Sequence, residues 1–129
     1  MNAKEILTNK QNFAVIGISP NKDKYSYQIY QRLKKLGKNV YGVSPLYQEI
    51  DSNIIYPDLL NINKPIDVAV FVVNSKIGVK YVEECKKLNI KHIWLQPGTY
   101  DDNLISIIEK SNLNYYLNCV LVESNDMFI

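Results

Sequence analysis

A chain of 129 residues, 47% hydrophobic and 22% charged, suits one domain over residues 1–129, able to bury a core without staples. The formal net charge of +2 comes with scattered lysines and no basic stripe, which argues against nucleic acid as a partner. The apolar runs are too short to span a bilayer, and the first residues lack the apolar core and cleavage site of a signal peptide; no membrane partner and a cytoplasmic location are the expectation.

Along the chain, buried-strand runs alternate with helical runs, the pattern of a parallel sheet covered on both faces. Residues 13–18, Phe-Ala-Val-Ile-Gly-Ile, form a continuous apolar run and read as a central strand. From Ser26 the period changes: Ile29, Leu33 and Leu36 recur at helical spacing, and Gly37 ends the helix. Residues 40–44 read as a second strand stopped by Pro45, and residues 47–60 as irregular chain with one helical turn near Pro57. Residues 68–73, Val-Ala-Val-Phe-Val-Val, are the clearest buried strand. Ser75 can cap the next helix, whose Ile77, Tyr81, Cys85 and Leu88 make one stripe. A fourth strand follows at residues 92–95, then a helix capped by Asp101 or Asp102, then a fifth strand at residues 115–117 that residues 119–122 extend or follow. The expected fold is a Rossmann-like, doubly wound, mainly parallel five-stranded sheet of order 3-2-1-4-5 with helices on both faces.

Ligands of such sheets bind outside the carboxyl ends of the strands. There the chain places Gly17-Ile18-Ser19-Pro20, Ser44-Pro45, Asn74-Ser75 and Gln96-Pro97-Gly98, short polar loops without an acid–base pair. Gly17 permits close backbone approach, and Ser19 with the following amides can donate to a phosphate, aided by the helix opening near Ser26. A lysine of the insert at residues 21–24, Lys24 among them, can reach that phosphate, or the insert is simply a solvated loop. The dinucleotide fingerprint fails, since Ser19 and Lys22 stand where glycines belong and Ser44-Pro45 where a ribose-binding acid belongs. Catalytic and metal signals are thin. His92 is the only histidine and starts a strand, away from the proposed site, and Cys85 and Cys119 carry no metal spacing and read as free thiols in the core.

The motifs Ala14-Val15-Ile16-Gly17-Ile18-Ser19-Pro20, Ser26-Tyr27, Val43-Ser44-Pro45, Ile55-Tyr56-Pro57, Pro65-Ile66-Asp67-Val68, Ile93-Trp94-Leu95-Gln96-Pro97-Gly98 and Asn118-Cys119, in this order, resemble the CoA-binding domain family. The likeness is to its small bacterial single-domain members, similar to the N-terminal domain of the succinyl-CoA synthetase alpha subunit. The resemblance implies coenzyme A or an acyl-CoA as the small-molecule ligand, with no catalysis by the domain itself. It places phosphate contacts on Gly17, Ile18, Ser19 and Pro20, with Ser26 beside them. Further contacts would fall on Ser44 and Pro45, on Val73, Asn74 and Ser75, and on Leu95, Gln96 and Gly98. One departure is Tyr47, which stands where the synthetase has a lysine. The rival readings are an NAD(P)- or other nucleotide-dependent enzyme, and an interaction module with a vestigial cleft.

Overall fold

Period-two alternation within each strand divides the core into two layers. In the computed structural model, which describes residues 1–127, the central strands are β1 (Asn12–Ile16), β2 (Asn39–Val43), β5 (Val68–Phe71), β6 (His92–Leu95) and β7 (Asn114–Leu117). Ala14 and Ile16 of β1, Ala69 and Phe71 of β5, and Ile93 and Leu95 of β6 point to one face. There they meet Tyr81, Val82 and Cys85 of α3 (Ser75–Leu88) and Leu104 and Ile108 of α4 (Asp102–Lys110). Phe13, Val15, Val70 and Trp94 point to the other face, against Ile6 and Leu7 of α1 (Ala3–Asn9), Ile29 and Leu33 of α2 (Tyr25–Lys35), and Val120 of α5 (Val120–Glu123). Both faces of the sheet are therefore covered, as a parallel sheet requires.

The expected order of strands is corrected. With β3 (Glu49–Ile50) and β4 (Asn53–Tyr56) the sheet has seven strands in the order β3-β4-β2-β1-β5-β6-β7, and every pair except β3·β4 is parallel. An order of 3-2-1-4-5 would set the strand at residues 68–71 on an edge; instead it lies between β1 and β6. All four of its side chains are buried, and a strand so enclosed needs ladder partners on both sides for its backbone groups.

The edge beyond β2 is taken by two strands from the stretch read as irregular, β3 (Glu49–Ile50) and β4 (Asn53–Tyr56). They are joined through Asp51 and Ser52, at φ 50° and 65°, the two-residue turn with positive φ at both positions that matches strand twist. Three further local details differ from the sequence reading. α1 is an additional helix, closed by a capping box between Asn2 and Glu5. Asn74, not Ser75, caps α3, accepting from Ile77 N at 3.0 Å. Residues 120–123 are helical rather than an extension of the fifth strand. No helix of the described residues is long and apolar enough to cross a membrane.

Candidate functional site

The chain leaves β1 for β2 on one side and places β5 on the other, so the direction of winding reverses between β1 and β5. At the carboxyl ends of these strands lies a crevice of about 390 Å³, within the range of small-molecule sites. Gly17, Ile18 and Ser19 after β1, Ser44, Pro45, Leu46 and Tyr47 after β2, Val72 and Val73 after β5, and Ile77 and Tyr81 of α3 line it. Its wall is mainly apolar, with four hydroxyls (Ser19, Ser44, Tyr47, Tyr81) and no charged side chain among the described residues.

Gly17 is required by space as well as by conformation. Its φ is +95°, and an added Cβ would stand 2.6 Å from the Val72 carbonyl oxygen and 2.7 Å from Val73 Cγ1. The close approach of the β1 and β5 ends closes the floor of the crevice. The Gly17 and Ile18 amides donate to Val43 O at 2.8 and 3.3 Å, so both are spent on holding the loop to β2. Donors for an anion must come from further along. Lys24 sits at the N-cap of α2 without a side-chain acceptor, which leaves the first-turn amides of that helix open to an outside anion. Lys22 and Lys24 are exposed, and neither belongs to an ion pair among the described residues.

The sequence-derived candidates separate into three groups. Gly17, Ile18, Ser19, Ser44, Pro45 and Val73 come together around the crevice. Pro20, Lys24 and Ser26 lie next to it along the chain without lining it; Ser26 is buried in the first turn of α2. The others have internal duties. Asn74 caps α3, Ser75 Oγ donates to Asp101 Oδ2 at 2.8 Å, and Leu95 is fully buried. Gln96 is buried, its Oε1 accepting from Trp94 Nε1 and Val120 N, while Gly98, at φ +85°, has open space around it.

Sequence reasoning missed Leu46, Tyr47, Val72, Ile77 and Tyr81 as lining residues. Ile77 and Tyr81 belong to the apolar stripe of α3, and their place on it carries a signal. They are the first two stripe positions of α3, and a helix begins where the preceding strand ends, at the ligand end of the sheet.

This architecture defines a Rossmann-like, doubly wound α/β domain with a crevice at its topological switch point. Residues 11–125 match the model of the CoA binding domain family, and the chain belongs to that family. Over 78 residues, 60% of this chain, it is 38% identical to an ADP-forming acetate–CoA ligase I of Archaeoglobus fulgidus, of whose length the match covers 11%. The corresponding ligase of Methanocaldococcus jannaschii is 35% identical over 81 residues, 12% of its length. The chain thus spans roughly a ninth of these curated relatives. Among solved structures, a hypothetical protein from Pyrococcus horikoshii OT3 superposes with a TM-score of 0.89 at 30% identity, covering 95% of this chain and 87% of that one. The dinucleotide-forming acetyl-coenzyme A synthetase 1 of Ca. Korarchaeum cryptofilum has the same fold in 27% of its chain, at a TM-score of 0.75 and 24% identity.

Proposed function

We propose that this protein binds coenzyme A or an acyl-CoA in the switch-point crevice and acts as a binding domain rather than an enzyme. The observation that carries this reading is the joining of Gly17–Ser19, Ser44–Pro45 and Val72–Val73 into one apolar crevice in a chain of the CoA binding domain family. The pyrophosphate is assigned to the loop from Ser19 to Lys24, where the open first turn of α2 and the exposed Lys22 and Lys24 favour negative charge. Pro20 shapes that loop, and Ser26 supplies one of the first-turn amides. Asn74, Ser75, Leu95, Gln96 and Gly98 lie at or just beyond the carboxyl ends of β5 and β6, the same end of the sheet as the crevice, but outside its lining. The crevice offers the hydroxyls of Ser19, Ser44, Tyr47 and Tyr81 as polar groups for the ligand.

Isothermal calorimetry and thermal-shift measurements with CoA, acetyl-CoA, NAD, NADP and ATP test the reading. CoA at about 100 times its Kd should stabilise the fold by about 2.7 kcal/mol. A response to NAD or NADP with silence toward CoA would transfer the site to a dinucleotide-dependent activity.

A further inference from the structure

Two lining hydroxyls, those of Tyr47 and Tyr81, have no protein partner among the described residues, and Tyr81 stands out because its side chain is almost wholly buried whereas Tyr47 is only half-buried. The Tyr81 side chain is 2% exposed, and its ring meets Phe71 edge-on at a centroid distance of 6.5 Å, so its position is fixed by packing. The two serine hydroxyls of the lining already accept local bonds, Ser19 Oγ from Asn21 N and Ser44 Oγ from Leu46 N. The Tyr81 hydroxyl enters no hydrogen bond among the described residues. Every fully enclosed side-chain nitrogen or oxygen among them has a partner, so this oxygen keeps some exposed surface, and Tyr81 is one of the residues that line the crevice.

The electrostatic setting narrows what can meet it. Burial first, and then the carboxylates of Glu84 and Asp58, push the Tyr81 phenol above its ordinary range, so it remains a neutral donor across physiological pH. Those same carboxylates disfavour an anionic atom beside it. We infer that the Tyr81 hydroxyl donates a hydrogen bond to an uncharged acceptor of the bound ligand, an amide carbonyl or a heteroaromatic ring nitrogen. It thereby selects which end of the ligand enters the crevice. This rests on the CoA reading above, and CoA carries both kinds of acceptor, in its pantetheine arm and in its purine.

The experiment compares wild type with Tyr81→Phe, titrated calorimetrically with CoA, ADP and 4′-phosphopantetheine. The variant keeps the ring against Phe71 and breaks no bond within the protein, so its melting temperature should match that of wild type. Affinity for CoA should fall about three- to ten-fold, the value of one hydrogen bond. A parallel loss with ADP assigns the contact to the purine, and a loss with phosphopantetheine assigns it to the pantetheine arm. Equal affinities of both proteins for all three probes would overturn the inference and leave the CoA reading standing. Failure of wild type to bind any of the three would overturn both.

Discussion

The Trp94 indole donates to Gln96 Oε1 at 3.1 Å, and the same oxygen accepts from Val120 N at 2.7 Å, in a buried cluster where β6 ends. One carboxamide thus ties the last turn of the sheet to the start of α5. The Trp94 Nε1 keeps a second acceptor in Asn118 O at 2.9 Å, whereas the Val120 amide has only Gln96. Gln96→Ala should therefore lower unfolding free energy by about 2 kcal/mol, from an orphaned buried donor and a small cavity. Urea denaturation measures this. A variant as stable as wild type would mean that water replaces the carboxamide without loss.

How much of this was legible in sequence depended on whether the signal was local. The continuous apolar runs at residues 13–16 and 68–71 and the stripe at Tyr81 and Cys85 are local facts, and they predict strands and helices correctly. The lateral order of strands is not local. Only the full enclosure of β5 demands a neighbour on each side, and an apolar run signals covered faces without telling which strands stand beside it. The hairpin of β3 and β4 escaped because Asp51-Ser52 lacks the glycine that usually marks such a turn. For the site, Gly17 was readable from its place at a strand end. The role of Gln96 was not, because its partner Val120 lies 24 residues away.

The hairpin turn supplies a test of its own. Ser52 holds φ 65° with a Cβ, which costs free energy that glycine does not incur. Ser52→Gly should stabilise the protein by about 0.5–1 kcal/mol, offset in part by the greater freedom of the unfolded chain. Thermal unfolding should show a rise in Tm; a fall would indicate that the turn is not of this type.

The thiols should behave unequally. Cys85 is fully buried on α3, and burial, with Glu84 nearby, pushes its thiol far above the ordinary range. Cys119, at the N-cap of α5, is only half-buried. A disulfide-exchange reagent should label one thiol in the native protein at an appreciable rate, and two after denaturation. Rapid labelling of both in the native state would contradict the packing of α3 against the sheet.

His92 sets a pH dependence. Its Nδ1 lies 3.0 Å from the Tyr116 hydroxyl, and burial first, then Lys10, hold its pKa below the ordinary value of 6.5. A histidine depressed in the folded state contributes stability that is present above 6.5 and lost as pH falls through the folded value. Glu84, raised mainly by burial, acts in the opposite direction at lower pH, so the comparison must be with a variant. Between pH 7 and 5, wild type should lose more stability than His92→Gln, followed by urea denaturation at each pH. Parallel profiles would remove His92 as the cause.

The last prediction concerns the phosphate loop. Ser19 is half-buried at the crevice mouth, and its Oγ accepts from Asn21 N at 3.2 Å, a local bond that a glutamate can partly replace. Ser19→Glu sets a carboxylate where the pyrophosphate is assigned, next to first-turn amides that the new side chain would itself attract. The fold should survive, because the position is in a loop with positive φ neither required nor present. Affinity for CoA should drop by at least about ten-fold, through like-charge repulsion and competition for the same donors. Gly17→Val is a poorer probe, since its Cβ would strike Val72 and loss of binding could follow from loss of structure. His92→Ala, at the opposite end of β6, serves as the control and should bind CoA as wild type does. Calorimetry on the three proteins decides: equal affinity for wild type and Ser19→Glu would move the phosphates to another loop, and loss in His92→Ala alone would move the site to the other end of the sheet.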